Sequence, residues 1–168
     1  MASDKPKVYI ESSTISYLTA RSTRNVVIEA KKELTRKWWE LRDRFELFIS
    51  KTVVEEIEGG DTKAAEARLE IIQDIPRLAR NEAAETLAQI LLRTGAIPAK
   101  AEADAAHIAY AAVYGMNFLI TWNQKHIATD ANRRFIEIIL IQSGFFVPRL
   151  LTPEQHLFIM EVENGYNP

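Results

Sequence analysis

The sequence contains no cysteine and only three histidines, His107, His126 and His156. Without cysteine the chain has no disulfide, no thiolate zinc site and no cysteine nucleophile. The three histidines are scattered along the chain and lack the short spacing of a zinc-ligand pair. A bound metal would therefore be held by oxygen atoms, which favours Mg²⁺, Mn²⁺ or Ca²⁺.

The sequence also lacks long apolar runs and a strong charge of either sign. No apolar run approaches the ~20 residues of a membrane-spanning helix, and the polar start, Met1 to Lys7, does not resemble a signal sequence. We therefore expect a cytoplasmic protein. The net charge of −2 argues mildly against a sequence-independent DNA-coating protein, which is usually basic. It does not exclude a nuclease, because a bound divalent ion reverses the charge at a cluster of carboxylates.

The chain does contain short β-rich runs that alternate with helical patterns. Its 168 residues, 47% hydrophobic and 26% charged, are typical of one soluble domain covering residues 1–168. Strands are predicted at 7–10, 45–50 and 117–121, with a short extended stretch at 77–79. Helices are predicted at 25–46, 52–57, 62–74, 81–93, 99–114 and 131–142, followed by residues 145–147 and a Pro-containing tail. This order predicts a parallel sheet with helices on both faces, and ligand sites just beyond the carboxyl ends of its strands.

Three polar residues stand at or near such positions. Glu11 directly follows the first strand, and Asn123 closely follows the strand that ends at Thr121. Asp104 interrupts an alanine-rich helix, where a buried carboxylate would need a cation or donors. Each residue has a simpler interpretation: Glu11 as a solvated turn residue, Asn123 as a helix cap, and Asp104 as an exposed surface charge.

A fourth candidate lies in the adjacent pair Glu55 and Glu56. Neighbouring residues on a helix point about 100° apart, so one can enter the crevice while the other faces solvent, and composition does not choose between them. Glu102 lies about 200° around its helix from Asp104, so we expect it to be solvated. Converging oxygen ligands of this kind suit metal-assisted hydrolysis of a phosphodiester.

Four blocks of the sequence, VYIESSTISYLTA, SKTVVEEI, AEADAAHIAYA and FLITWNQKHI, resemble the PIN-domain family. The likeness is strongest to the VapC-like toxins of bacterial and archaeal toxin–antitoxin pairs. It implies a three-layer α/β/α sandwich with a mostly parallel sheet, and ribonuclease activity that depends on Mg²⁺ or Mn²⁺. It also implies a cytoplasmic toxin with an RNA substrate, a cognate antitoxin partner and a homodimeric state.

The resemblance also implies roles for individual residues. Glu11 stands where the family usually has aspartate, Glu56 rather than Glu55 matches the family's glutamate, and Asp104 matches its central aspartate. Asn123 stands where many members have a fourth acid. These four residues are the expected metal-binding and catalytic set, and two hydroxyl residues are expected to support it: Ser13 and Thr121. The longer Glu11 and the uncharged Asn123 are departures from the family pattern that affect the expected rate and metal count more than the fold.

Other residues near these positions have weaker alternatives. His107, three residues after Asp104, is expected to be structural rather than catalytic. Trp122 could stack on a base, although packing beside the strand is favoured. Two further residues are candidates for contact with the substrate: His126 and Lys125.

The leading hypothesis is therefore a metal-dependent endoribonuclease in which water is the nucleophile. The alternative is a PIN-fold protein that has lost catalysis and acts as an RNA-binding or interaction module, which Glu11 and Asn123 motivate. A phosphatase or receiver-like domain is a weaker third hypothesis, because it needs a nucleophilic aspartate where this chain has Glu11.

Overall fold

A computed structural model describes residues 4–123, 125, 130–163 and 165. Its sheet has four strands in the order β2-β1-β3-β4, and every neighbouring pair is parallel. Parallel strands need crossover connections, and the helices between the strands supply them. The strands are β1 (Lys7–Ile10), β2 (Glu46–Phe48), β3 (Phe118–Ile120) and β4 (Arg149–Leu151).

The helices cover both faces of this sheet, so the architecture is the expected three-layer α/β/α sandwich of the PIN-like kind. The helices are α1 (Ser12–Thr19), α2 (Val26–Glu40), α3 (Lys51–Glu58), α4 (Thr62–Ile72), α5 (Glu82–Arg93), α6 (Glu102–Val113), α7 (Asp130–Gln142) and α8 (Pro153–Glu163). A short 3₁₀ turn follows α2 at Arg42–Arg44. Asp61 and Asn81 cap α4 and α5 by accepting hydrogen bonds from backbone N–H groups of the first turn. Within the described part of the chain, no helix combines the length and apolar character needed to cross a membrane.

The two faces of the sheet are packed differently. Phe118 pairs in register with Val8, and Leu119 pairs with Tyr9, so Phe118 and Tyr9 point to opposite faces. Tyr9 contacts His107 of α6 on one face, while the ring of Phe118 lies 4.3 Å from that of His156 of α8 on the other. In the two central strands, Val8 to Ile10 and Leu119 to Ile120 are fully buried, as the continuous apolar run of β3 predicted, whereas Phe118 is partly buried.

Two parts of the secondary-structure prediction were wrong. The helix predicted at 25–46 ends at Glu40, where Leu41 and the 3₁₀ turn begin the connection to β2. The prediction of a Pro-containing tail is also wrong, because this part of the chain forms β4 and α8. Pro153 is the first residue of α8, a position where its fixed φ suits a helix. Thr152 and Gln155 form a capping box there, with each side chain accepting from the other's backbone N–H.

Candidate metal site at the carboxyl edge of the sheet

The site residues come together because β1 and β3 are neighbours that end at the same edge of the sheet. Ile10 pairs with Ile120 in register, and the backbone N–H of Glu11 donates to the carbonyl of Ile120 at 3.1 Å. Glu11 and the segment that follows β3 therefore leave the sheet side by side. The carboxyl edge of a parallel sheet is the usual place for a ligand site in this kind of fold.

The Glu11 side chain is turned into the protein, where it is 4% exposed and caps helix α1. Its Oε2 accepts from the backbone N–H of Ser13 at 3.0 Å, from the hydroxyl of Ser13, and from the hydroxyl of Thr121 at 2.8 Å. Its Oε1 accepts from the hydroxyl of Ser12 at 2.7 Å. Ser13 and Thr121, expected as supporting residues, thus fix the orientation of this carboxylate, which is not the solvated turn residue of the simpler interpretation.

Asp104 and Asn123 form a second pair at the same edge. Asp104 is 8% exposed on α6, and its Oδ1 accepts from the amide nitrogen of Asn123 at 2.8 Å. The backbone N–H of Asn123 donates to the hydroxyl of Thr121 at 2.9 Å, so this hydroxyl links Asn123 to Glu11. The amide of Asn123 acts as a donor that orients Asp104.

Glu56 reaches the site from α3, and a buried histidine meets it there. The Nε2 atom of His107 lies 2.7 Å from Oε2 of Glu56 and 3.9 Å from Oε1 of Glu11. Glu55 instead forms an exposed ion pair with Lys51 at 2.9 Å. The structure therefore places Glu56, and not Glu55, close to Glu11.

The charges at this site shift the pKa values of their neighbours. Burial lowers the pKa of His107, but the hydrogen bond to Glu56 and the negative charges of Glu11, Glu56 and Asp104 outweigh burial and raise it. Burial raises the pKa of Glu56, yet the hydrogen bond and charge of His107 hold it below its ordinary value. The imidazole and the carboxylates therefore each favour the charged form of the other.

A divalent cation fits this set of side chains. Glu11 and Glu56 each place a carboxylate oxygen within 4.8 Å of the other and of a ring nitrogen of His107, and the negative charge of Asp104 acts on His107 as well. Buried carboxylates are stable only when cations or donors balance them. The hard oxygen donors suit Mg²⁺ or Mn²⁺.

Open space adjoins Glu56 between α3 and α6. A cavity of about 410 Å³ there is lined by Thr52, Glu55, Glu56, Glu102, Ala103 and Ala106. A second cavity shares four of these residues and extends the space toward Arg80 and Tyr110. The cluster is therefore accessible from the side of α3 and α6, where the alanines of α6 leave room.

The remaining candidates lie around this cluster. Trp122 is 7% exposed, and its indole N–H donates to the hydroxyl of Thr35 at 2.8 Å, as the packing interpretation expected. Lys125 is exposed, and His126 lies outside the described residues. Sequence reasoning missed Tyr9 and Ser50, which hydrogen-bond behind the site. The available signal was a tyrosine in a buried strand, whose hydroxyl needs a partner.

Comparison with known proteins supports the fold. No family model and no curated protein sequence matches the chain. Among solved structures, the chain is similar to one in the crystal structure of VapBC2 from Rickettsia felis bound to a DNA fragment from their promoter. The TM-score is 0.52 with 15% sequence identity, over 87% of this chain and 98% of the other. At that identity the likeness concerns the fold alone.

Proposed function

We propose that this chain is a Mg²⁺- or Mn²⁺-dependent endoribonuclease of the PIN type. The observation that carries the proposal is a set of three carboxylates around His107 at the carboxyl edge of the sheet. Oxygen atoms of Glu11 and Glu56 lie within 4.8 Å of each other, and the charge of Asp104 acts on His107 together with theirs. Two of the three carboxylates are buried, and the third lines an open cavity. The carboxylates thus supply a negative charge that a cation would balance, and the cavity at Glu56 supplies a route by which a substrate could reach it.

In this proposal Glu11, Glu56 and Asp104 hold the ion, and Asn123 orients Asp104 through its amide. Ser13 and Thr121 hold Oε2 of Glu11, so that its Oε1 is directed toward Glu56 and His107. A bound ion would supply Lewis-acid activation of a phosphoryl oxygen and of a water nucleophile. The choice of RNA as substrate rests on the resemblance of the four sequence blocks to PIN-domain ribonucleases.

Cleavage of RNA by the purified protein tests the proposal. We expect cleavage with Mn²⁺ or Mg²⁺, loss of cleavage in EDTA, and a rate in Asp104→Asn lower by about 100-fold or more, since even outer residues of a metal site are worth 10–100-fold. Asp43→Asn is the matched control, because it makes the same change at an exposed aspartate of the 3₁₀ turn that does not line either cavity at Glu56. Equal cleavage by Asp104→Asn and the control, with both variants folded, would overturn the assignment.

We also propose that the nuclease is the toxin of a toxin–antitoxin pair. The support is the fold shared with a chain of the VapBC2 complex and the likeness of the sequence blocks to VapC-like toxins. Expression of the wild-type chain should arrest bacterial growth, whereas the Asp104→Asn variant at the same level should not. Normal growth with active, soluble wild-type protein would reject the toxin role and leave the nuclease proposal intact.

A second candidate function is a non-catalytic RNA-binding or interaction module on the same fold. It is favoured by one observation: each of the three carboxylates already has a protein donor, from Ser13 and Thr121, from His107, or from Asn123. Hydrogen-bond donors of this kind already compensate the carboxylate charge, so they lower the free energy gained when an ion binds. Titration with Mn²⁺ separates the two functions, because the module would show no affinity in the millimolar range.

A further inference from the structure

A chain of three buried side chains lies directly behind Glu56. The hydroxyl of Tyr9 is 2.6 Å from the hydroxyl of Ser50 and 2.7 Å from Nδ1 of His107, whose Nε2 is 2.7 Å from Glu56. Tyr9 and His107 are fully buried, and Ser50 is 1% exposed. Ser50 is the residue before the first turn of α3, yet its hydroxyl makes no cap for that helix. These hydrogen bonds therefore attach α3 to β1 and α6 at two points, at Ser50 just before the helix begins and at Glu56 within it.

The hydrogen-bond partners determine which ring nitrogen of His107 carries a proton. A carboxylate only accepts hydrogen bonds, so Nε2 must donate to Glu56. In a neutral ring Nδ1 then accepts from Tyr9, whose oxygen accepts from Ser50. In a protonated ring Nδ1 donates to Tyr9, which donates to Ser50. Both arrangements satisfy every group, and in both Nε2 has no lone pair for a metal.

We infer that His107 is a positioning residue, which orients Glu56 toward Glu11, and that it is not a ligand of the ion. This inference rests on the proposed metal site. The Ser12 hydroxyl also hydrogen-bonds to Glu56, but the Glu56 side chain is 34% exposed, so without the buried ring it would sample more rotamers and lose more entropy when an ion binds. The buried ring, fixed by Tyr9 and Ser50, selects one orientation in advance, as outer partners of metal ligands commonly do.

Two substitutions at His107 separate this role from its alternatives. In His107→Gln the amide nitrogen takes the place of Nε2 and can still donate to Glu56. In His107→Asn the amide takes the place of Nδ1, so the contact with Tyr9 is kept and the donor to Glu56 is lost. By calorimetric titration we expect Mn²⁺ affinity close to wild type for His107→Gln and about 10- to 100-fold weaker for His107→Asn. Pulsed EPR of the wild-type protein with Mn²⁺ should show no coupling to a directly bound imidazole nitrogen.

Each other outcome would overturn the inference. Nitrogen coupling in the wild type would make His107 a ligand, and equal Mn²⁺ affinity in His107→Asn and wild type would make it structural only. Urea unfolding of both variants reports stability independently. If His107→Asn does not fold, Tyr9→Phe replaces it in the titration. Loss of the Tyr9 hydroxyl frees the ring of His107 and should weaken Mn²⁺ binding, by a smaller factor than His107→Asn. Unchanged Mn²⁺ affinity in Tyr9→Phe would also reject the inference. A wild-type protein without Mn²⁺ affinity would instead reject the proposed function itself, and the inference with it.

Discussion

Two buried histidines on opposite faces of the sheet have opposite pKa shifts. His107 on α6 is surrounded by carboxylates, whose charges and hydrogen bond raise its pKa despite burial. His156 on α8 packs among the rings of Trp38, Phe45 and Phe118. Burial, with a smaller contribution from the charge of Arg149, lowers the pKa of His156 to about 4. Burial alone therefore does not determine the charge of a histidine, because its partners decide which form is favoured.

The same comparison distinguishes a polar face from an aromatic face. On the polar face, side chains hydrogen-bond in a network that holds carboxylates next to open space. On the aromatic face, the indole N–H of Trp38 donates to Nδ1 of a neutral His156 at 2.9 Å, and this histidine packs among aromatic rings. We therefore expect substitutions on the aromatic face to change stability and substitutions on the polar face to change metal binding.

The largest expected effect is on the aromatic face, in Trp38→Ala. Trp38 is fully buried and stacks on Phe45 at 6.2 Å between ring centroids. Removing it should lower the free energy of unfolding by about 3–5 kcal/mol, measured by urea denaturation, and leave Mn²⁺ affinity unchanged in the folded protein. Trp39→Ala is the control, since Trp39 is only partly buried and should cost clearly less. A change in Mn²⁺ affinity in Trp38→Ala would break the division between the two faces.

The next effect is a dependence of stability on pH that comes from His156. Its pKa is about 4 in the folded chain and 6.5 in the unfolded chain, so between these values the unfolded chain binds the proton and the folded chain does not. The contribution of His156 to the free energy of unfolding is fully present above about pH 6.5. It falls by up to about 3 kcal/mol as the pH drops to 4. Carboxylates also titrate in this range, so a matched variant is needed to isolate the histidine.

His156→Asn provides that variant, because its amide oxygen takes the place of Nδ1 and can accept from Trp38 without titrating. The free energy of unfolding of both proteins is measured at pH 7 and pH 4.5. The wild type should lose more stability than His156→Asn between these values. An equal loss in both proteins would mean that His156 is not held neutral by its surroundings.

Local sequence signals predicted much of the fold and part of the site. Strand β1, helices α4 and α5, and the positions of Glu11 and Asn123 after strands follow from hydrophobic patterns and helix start and stop signals. The link from Tyr9 to Ser50 and His107 could not be predicted in this way, because these partners are 41 and 98 residues away. The pattern of neighbouring residues does not encode which distant side chain meets a buried hydroxyl.

Helix α8 was missed for a different reason, and this leads to the smallest predicted effect. From the sequence only a Pro-containing tail is predicted there, although Thr152 and Gln155 carry a local capping signal on either side of Pro153. Thr152→Ala removes the hydroxyl that accepts from the N–H of Gln155, and should cost about 1 kcal/mol of unfolding free energy. The backbone carbonyl of Thr152 also accepts from the N–H of His156 at 3.0 Å, so loosening this turn should loosen the surroundings of His156. In the Thr152→Ala background, adding His156→Asn should therefore change the loss of unfolding free energy between pH 7 and pH 4.5 by less than it does in the wild type. Thr152→Ser, which keeps the hydroxyl, should restore most of the stability, and no difference between Ala and Ser would show that the cap does not stabilise α8.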